Sequence, residues 1–573
     1  MSTTYPKLRL RLVSLFFVVL AVVCVGQLFF LQVVRGERYA DQADRQYVRV
    51  SDEAFSRGTI YFKEKNDKLV AAATLRSSFV IVANPTKIVD PQALYASTSA
   101  LMAIDETKFV EAVSKTGDTY EVVATNIDEA MAERVRAANL PGITVYKEKK
   151  RYYPGNTLAG HVLGFVGWAE EGGKQVFGGR YGLERYYDDI LRRASGSLYI
   201  NFFAQVFAGL NSLREEENLI EGDVVTTIEP TVQAALEREL ATMATTWQPE
   251  RSGAIIMDPM TGKIYAMAAR PTFDPNTFNT VDDPTIFTNP LVENVYEMGS
   301  IVKPLTMAAA LDAGVIKPTT MYTDEGTVQV GIATISNYDG KARGRVNMQE
   351  VLNQSLNTGM VFVMKSMGRT VFATYMKNYG LGEKTGIDVP NEIPGLIKNL
   401  ESPRDVEHAT ASFGQGIALT PLNVTRALAS LGNGGYLVKP YLTDSMQYTV
   451  GITDDTTPAP GRRILKAETS KTITAMLVNV VDKALVGGRE KMEHYSIAAK
   501  TGTAQISKPG GGYYDDRFSH SFFGYFPASN PRFIVMFYMV HPKGAKYASE
   551  TLTAPFMHTA KFLLNYYQVP PDR

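Results

Sequence analysis

The stretch YEMGSIVKPL, residues 296–305, places a serine and a lysine one helical turn apart at the start of an apolar helix. Positions i and i+3 of a helix share a face, so the side chains of Ser300 and Lys303 lie together on its first turn. One interpretation is structural, because serine is a favoured N-cap residue and lysine is usually solvated. The other interpretation is a serine nucleophile beside its base. The choice between them depends on the rest of the chain.

The segments around this stretch predict a sheet flanked by helices. Residues 251–271 contain two apolar strands joined by DPMTG, and HYSIAAKTGTAQI, SFFGYF and RFIVMFYMV have the pattern of three more. Residues 298–480, between these strand groups, have a mostly helical pattern, and PFMHTAKFLLNYY predicts a final helix. This order of elements indicates an α+β fold, an antiparallel sheet with helices on its faces and a helical subdomain.

Two more short motifs follow the serine and lysine pair. Ser-x-x-Lys occurs once in the chain, and Ser-x-Asn also occurs once, at Ser355 and Asn357. Lys-Thr-Gly occurs three times, beginning at Lys115, Lys384 and Lys500, so the pattern alone does not select one copy. Only the third copy lies in a strand-like stretch, from which backbone groups can face a substrate. We therefore interpret the third copy as functional and the other two as surface turns.

Together the three motifs supply the side chains that acyl transfer from an amide needs. A serine hydroxyl is a weak nucleophile and requires an adjacent base. Lys303 can be that base if burial and a second cation lower the pKa of its ammonium group. Lys500 would be the second cation, and Ser355 would relay a proton between a lysine and the leaving amine. Asn357 would orient amide groups of the substrate.

Backbone groups would complete this site. Ser300 begins a helix, whose unpaired N–H groups favour developing negative charge, and its N–H would form an oxyanion hole with that of Thr503. Gly502 would permit close approach of the strand. Thr501 and Thr503 would bind a substrate carboxylate beside Lys500. Taken alone, each motif is more simply a cap, a helix residue or a turn, but their order and context together favour an active-serine site.

The composition excludes several other kinds of protein. Lys plus Arg equals Asp plus Glu at 59 each, so no net charge indicates a nucleic acid as partner. The only cysteine, Cys24, lies in an apolar run, which excludes a disulfide within one chain. The six histidines have no zinc-binding spacing. We expect neither a metal nor a cofactor.

An apolar run near the N-terminus predicts a single membrane span. Residues 12–34 contain no charged side chain, and about 20 residues suffice to cross a bilayer. The run is too long for a cleavable signal peptide and lacks a small-residue cleavage site. We predict a cytoplasmic tail over residues 1–11, a transmembrane helix over 12–34, a non-catalytic mixed α/β domain over 35–225 and a catalytic domain over 226–573, with everything after the span outside.

On its motifs the chain resembles the class B penicillin-binding proteins, which are membrane-anchored peptidoglycan D,D-transpeptidases. EMGSIVK, SLN and KTGTAQ match the catalytic motifs of that family in order, and ASFGQGIALTPL and SFFGYFPASNPRF match its flanking segments. RYYP, GHVLGFVG and GRYGLERYYDDIL resemble its non-catalytic pedestal, or dimerisation-like, domain. The resemblance covers nearly everything after residue 12. Met298 departs from it, because the family commonly has proline there, and residues 57–70 lack the usual Asp-Arg-x-Gly continuation.

The resemblance implies a specific reaction. Ser300 would be acylated by the D-Ala-D-Ala end of a stem peptide, D-alanine would leave, and an amine of a neighbouring stem would attack the acyl-enzyme. β-Lactams would acylate the same serine. The resemblance further implies a septal role, a position in the bacterial cytoplasmic membrane, and a polytopic glycosyltransferase and divisome proteins as partners, since no glycosyltransferase domain fits into residues 35–225.

Three alternatives remain at this point. The first is an elongation-type transpeptidase. The second is a membrane-tethered D,D-carboxypeptidase or β-lactam hydrolase, in which water resolves the acyl-enzyme; the long N-terminal domain disfavours it. The third is a receptor or scaffold that binds stem peptides or β-lactams without turnover; the complete set of motif residues disfavours that one.

Overall fold

The computed structural model describes residue 20 and residues 56–115, 117–193 and 221–573. The predicted cytoplasmic tail and, apart from Leu20, the predicted transmembrane helix lie outside these residues. Among the residues that are described, no helix is long and apolar enough to cross a membrane. The chain forms two compact units, a smaller one that contains residues 75–151 and a larger one that contains residues 57–74, 152–193 and the C-terminal part.

The smaller unit combines three helices with strands. Its helices Pro91–Ser99, Glu106–Val113 and Glu129–Ala137 are each capped by an aspartate, whose carboxylate accepts backbone N–H bonds from the first turn. Buried Leu94, Phe109 and Val113 form its core with Ala83. Its strands are Glu121–Ile127, Ile143–Tyr152 and the second part of Leu69–Ala83. The first two each pair with Leu69–Ala83.

A five-stranded antiparallel sheet organises the larger unit, and it confirms the predicted sheet. The hairpin predicted over residues 251–271 pairs with the predicted C-terminal meander. The strand order is Ala498–Ser507, Tyr513–Phe526, Phe533–Val540, Arg251–Met257 and Ile264–Arg270.

Alternation along the strands divides the core between the two faces of this sheet. Ile255 and Met257 pack on the face that carries the helix Lys303–Asp312, and Ala254 and Ile256 pack on the opposite face. Successive side chains of a strand point to opposite faces, so an unbroken apolar strand is buried on both sides. The opposite face is covered by the first and last long helices of the unit, Pro230–Trp247 and Thr553–Tyr566.

The remaining elements of the larger unit surround this sheet. Its other helices are Gly160–Leu163, Gly182–Tyr186, Asp188–Leu191, Pro290–Glu293, Met348–Asn353, Asn357–Met367, Arg369–Asn378, Asp405–Ala411, Pro421–Ala429, Ala467–Asn479 and Ala548–Thr551. Turns of 3₁₀ helix lie at Pro275–Thr280, Pro284–Phe287, Gly299–Val302, Lys398–Glu401 and Leu485–Gly488, and a π-helical turn lies at Val480–Ala484. A second sheet joins Thr453–Asp455, Thr443–Tyr448, Gly222–Thr226, Ile60–Lys63 and the first part of Leu69–Ala83, and Val166–Glu171 pairs with Lys174–Gly179.

The block between the two strand groups is less helical than the sequence predicts. Short strands pair within it, namely Met321–Asp324 with Gly344–Asn347, Thr327–Val330 with Ala333–Ser336, and Tyr436–Leu437 with Arg462–Arg463. Their exposed and buried residues alternate over only four positions or fewer, which is too short for a period to be distinguished in the sequence.

The helix Lys303–Asp312 lies at the centre of the larger unit. Nine of its ten residues are buried, including Lys303. Pro304 stands at its first turn, where the missing N–H costs no hydrogen bond. A helix that is apolar all round is typical of a core element. Its N-terminal end is therefore fixed in position relative to the sheet by packing on every side.

Candidate active site

Ser300 lies in the 3₁₀ turn Gly299–Val302, which leads directly into the helix Lys303–Asp312. Ile301 in this turn is completely buried and anchors it in the core. The strand Ala498–Ser507 runs beside the turn. Among the described strands it is an edge strand of the five-stranded sheet, so part of its backbone N–H and C=O groups is not used in sheet pairing.

Two glycines let the turn and the strand approach each other closely. Gly299 has a φ of +59°, a left-handed conformation that favours glycine, and a Cβ there would lie 2.6 Å from the carbonyl oxygen of Thr503. A Cβ on Gly502 would lie 2.6 Å from the carbonyl oxygen of Met298. That carbonyl accepts a hydrogen bond from Ser521 Oγ at 2.7 Å. The backbones of both elements are thus in direct contact around the serine.

Lys303 is completely buried and donates hydrogen bonds to the Ser-x-Asn motif. Its Nζ lies 2.6 Å from the carbonyl oxygen of Ser355, 3.2 Å from Ser355 Oγ and 2.8 Å from Asn357 Oδ1. Burial, and then the charge of Lys500, hold the pKa of Lys303 well below its ordinary value. In the part of the chain that is described, no hydrogen bond joins this Nζ to Ser300 Oγ; such bonds are often long until substrate binds.

The Ser-x-Asn motif occupies the tight connection between two helices. Ser355 follows the helix Met348–Asn353 and has a φ of +52°, which is uncommon for a residue other than glycine. Asn357 begins the helix Asn357–Met367, and its Nδ2 donates to the carbonyl oxygen of Ser336 at 2.9 Å. Asn357 therefore bridges Lys303 and the end of the strand Ala333–Ser336.

A buried carboxylate, which the sequence did not single out, supports this bridge. Asp324 accepts hydrogen bonds from Thr358 Oγ1 at 2.6 Å, from Asn337 Nδ2 at 3.0 Å and from the backbone N–H of Arg343 at 2.8 Å. Burial alone would raise the pKa of Asp324, but these hydrogen bonds lower it. Asp324 thus fixes the residue after Asn357 and the residue after Ser336.

Lys500 and Thr503 lie in the strand that the sequence predicts. Lys500 is 4% exposed, and its Nζ donates to the carbonyl oxygen of Thr501 at 3.0 Å. Burial lowers the pKa of Lys500 to about 8. Thr503 Oγ1 accepts a hydrogen bond from the backbone N–H of Ala548 at 3.0 Å.

The lysines of the other two Lys-Thr-Gly copies lie outside helices and strands. Lys115 is exposed and pairs with Glu121 at 2.6 Å. Lys384 is exposed, and the neighbouring Thr385 donates through its Oγ1 to Glu392 at 2.6 Å. Both copies therefore have local structural partners.

Six of the eight predicted site residues line one open cavity of about 780 Å³, a size typical of ligand sites, and the other two lie next to these six. Lys303 is buried beneath the Ser-x-Asn motif, and Gly502 lies in the strand against the serine turn. The other six line the cavity, namely Ser300, Ser355, Asn357, Lys500, Thr501 and Thr503. Among the described residues, no group of three or more His, Cys, Asp or Glu side chains is arranged to hold a metal ion.

Among the other segments that line the cavity are residues 334–338 and 546–549, and the sequence reasoning missed both. They meet where the ring of Tyr338 packs edge-on against that of Tyr547, with centroids 5.8 Å apart. Neither segment carries a motif with a fixed spacing. Only the fold brings them to the site.

Comparison with known proteins matches most of the chain. A family model described as the penicillin binding protein transpeptidase domain matches residues 252–560, and one described as the penicillin-binding protein dimerisation domain matches residues 53–218. Stage V sporulation protein D of Bacillus subtilis is 30% identical over 97% of this chain and 85% of its own length. Peptidoglycan D,D-transpeptidase FtsI of Escherichia coli is 26% identical over 93% of this chain and 87% of its own.

A solved structure matches the fold. Penicillin binding protein 3 of Mycobacterium tuberculosis, complexed with aztreonam, has a TM-score of 0.68 at 22% sequence identity. The match covers 91% of this chain and 98% of that one. It shows that the two chains share a mixed α/β architecture.

The glycine contact at the serine turn yields a prediction. Gly299→Ala is expected to lower the rate of acylation by a fluorescent penicillin at least tenfold, because its Cβ would collide with the Thr503 backbone and displace Ser300. Gly314→Ala is the matched control: its φ of +73° brings the same kind of backbone strain, but no atom lies within 4 Å of the added Cβ. The control should acylate within twofold of the parent. Equal rates for both variants would contradict the prediction.

Proposed function

The chain belongs to the class B penicillin-binding proteins and is a peptidoglycan D,D-transpeptidase, and on this premise we propose that Ser300 carries the acyl group between two stem peptides. The observation that carries the proposal is the completely buried Lys303 with a pKa well below its ordinary value. A solvated lysine is protonated at neutral pH and cannot accept a proton. In its neutral form, the amine of Lys303 has two N–H bonds for the Ser355 carbonyl oxygen and Asn357 Oδ1, and a lone pair that can accept the proton of a serine one helical turn away.

In the acylation step, Lys303 Nζ accepts the proton of the Ser300 hydroxyl while Oγ attacks the carbonyl carbon of the penultimate D-alanine. The backbone N–H groups of Ser300 and Thr503 stabilise the oxyanion that forms. When this intermediate collapses, the bond to the nitrogen of the terminal D-alanine breaks. The leaving nitrogen receives a proton through Ser355, whose Oγ lies 3.2 Å from Lys303 Nζ. The products are an ester on Ser300 and D-alanine.

In the second step, an amine of a neighbouring stem peptide attacks the ester carbonyl. The attacking nitrogen loses a proton to the Lys303 and Ser355 pair, and the ester bond breaks. Ser300 Oγ regains its proton from Lys303. The product is a new amide bond, which is the cross-link, and the enzyme returns to its starting state.

The strand Ala498–Ser507 and Asn357 would recognise the substrate. Lys500, with Thr501 and Thr503, would bind the terminal carboxylate, and Asn357 would orient an amide of the substrate. A β-lactam carries a carboxylate and a reactive amide in a similar arrangement, so it would acylate Ser300 by the same route. The aztreonam complex of the M. tuberculosis protein supports β-lactam binding by this fold.

The first test is the intact mass of the full chain after incubation with a penicillin. The parent is expected to gain the mass of one penicillin, and Ser300→Ala is expected to gain none, because the nucleophile is missing. An adduct that persists in Ser300→Ala would show that another residue is acylated. A folded parent that gains no mass would favour the scaffold alternative.

The same preparation separates a transpeptidase from a hydrolase. A stem-peptide thioester and an amine acceptor should yield the cross-linked product, whereas release of the free acid alone would favour a D,D-carboxypeptidase or a β-lactam hydrolase.

The two lysines predict a bell-shaped pH dependence of the acylation rate constant. As the pH falls through the lowered pKa of Lys303, the base becomes protonated and the rate drops. As the pH rises above about 8, Lys500 loses the proton that makes it a carboxylate partner, and the rate drops again. Stopped-flow acylation across this range measures both limbs. Lys500→Arg keeps its charge at high pH, so an unchanged alkaline limb in this variant would exclude Lys500 as its origin.

We further propose that the enzyme acts in septal wall synthesis, anchored by residues 12–34 with its catalytic part outside the cytoplasmic membrane. The apolar run supports the anchor, and the resemblance of SFGQGIALTPL and FFGYFPASNPRF to the septal branch of the family supports the septal role. The dimerisation-domain model matches residues 53–218, so a glycosyltransferase domain does not fit there. A separate polytopic glycosyltransferase and divisome proteins would therefore be the partners of this chain.

Depletion in the native bacterium tests the septal role. Filaments that lack septa are expected, because elongation continues while cross-linking at the division site stops. Loss of rod shape without filamentation would instead favour the elongation-type alternative. Fractionation of cells that express the protein tests the anchor: the full chain should be recovered with the membranes, and a variant without residues 1–35 in the soluble fraction.

A further inference from the structure

A completely buried histidine lies on the strand that pairs with Ala498–Ser507, the strand that carries Lys500 and Thr503. His520 belongs to the strand Tyr513–Phe526 and pairs in register with Thr503. Its Nδ1 lies 2.8 Å from Thr551 Oγ1, and its Nε2 lies 3.1 Å from the carbonyl oxygen of Lys546. Both ring nitrogens are therefore bonded, and neither bond is to the predicted catalytic groups.

These contacts fix the tautomer of His520. A carbonyl oxygen only accepts hydrogen bonds, so Nε2 carries a proton and donates it to Lys546. Burial lowers the pKa of His520 to about 4, so the ring is neutral at physiological pH and has one proton only. Nδ1 must then accept the hydroxyl proton of Thr551.

The histidine thereby holds two points of the segment 546–551, which contributes to the cavity wall. Between these points, the backbone N–H of Ala548 donates to Thr503 Oγ1 at 3.0 Å. One lone pair of the Thr503 hydroxyl is thus occupied, which leaves its own O–H to point elsewhere. Thr503 lines the cavity beside Lys500, so the hydroxyl proton can be directed at a ligand there.

We propose that His520 is a positioning residue for carboxylate recognition: it holds residues 546–551 so that the Ala548 N–H orients the Thr503 hydroxyl as a donor to the carboxylate of a stem peptide or a β-lactam. This inference rests on the proposed function of the site. A large apolar side chain could fill the same space, but it would bond neither the Lys546 carbonyl nor the Thr551 hydroxyl. Packing alone therefore does not account for a histidine here.

The test compares benzylpenicillin with its methyl ester, in which the carboxylate is masked. The ratio of the two acylation rate constants, acid over ester, measures carboxylate recognition separately from the integrity of the serine site. A lost hydrogen bond to a charged group should lower this ratio about tenfold. His520→Ala in the full chain is expected to show that loss while its rate with the ester stays near that of the parent.

Three further variants sharpen the comparison. His520→Leu fills a similar volume but can neither donate to Lys546 nor accept from Thr551, so at least a threefold loss of the ratio is expected. If His520→Ala does not fold, this second His520 variant tests the positioning role in its place. Thr503→Val removes the hydroxyl itself and should lower the ratio as much as His520→Ala. His558→Ala removes an exposed histidine and should leave the ratio unchanged.

The double variant His520→Ala with Thr503→Val shows whether the two residues act together. If His520 acts through Thr503, the ratio of the double variant equals that of Thr503→Val alone. Independent, multiplying losses would overturn the proposal. So would parent-like ratios in both His520 variants, or equal loss with acid and ester, which would indicate a purely structural role. A parent that reacts with neither compound would instead refute the proposed function of the site.

Discussion

The site depends on one constraint, the complete burial of the amine of Lys303. An ionised ammonium group is costly to bury, so the fold must either supply hydrogen-bond partners or favour the neutral form. It does both, because Ser355 and Asn357 supply acceptors while Lys500 adds a second charge nearby. The acceptors sit between the helices Met348–Asn353 and Asn357–Met367, and the second of these packs on the central helix Lys303–Asp312. Reactivity and packing are thus consequences of the same buried position.

A second constraint is the contact between the serine turn and the edge strand. Gly299 and Gly502 remove the two Cβ atoms that would separate these backbones. Because of this proximity, backbone N–H groups of the strand can reach a carbonyl group bound beside Ser300. Side-chain donors in the same place would lose conformational entropy when they became ordered. The sheet supplies the strand and the helical block supplies the turn. Neither layer forms the site alone.

Much of this architecture could be predicted from the sequence, because its signals are local. The apolar strands of residues 251–271 and the alternation around Lys500 identify the sheet, and strand context separates Lys500 from Lys384. The parts that could not be predicted depend on contacts between distant residues. Residues 57–74 and 152–193 belong to the larger unit, and Asp324 and His520 bond to residues 13 to 34 positions away. Single polar residues of this kind have no period or spacing to detect. Ser355 likewise adopts a positive φ that no residue preference indicates.

Two buried lysines, Lys303 and Lys500, lie at one site, which raises the question of which amine is protonated. Both are buried, and burial is the largest influence on each pKa. The charge of Lys500 lowers the pKa of Lys303 further, and because repulsion between like charges is mutual, protonation of either lysine disfavours protonation of the other. We therefore expect Lys303, the more completely buried of the two, to give up its proton more readily than Lys500. Pairs of groups whose surroundings separate their pKa values divide into an acid or charge carrier and a base. The fold makes this division by placing one lysine in the helix core and the other on the strand that borders the cavity.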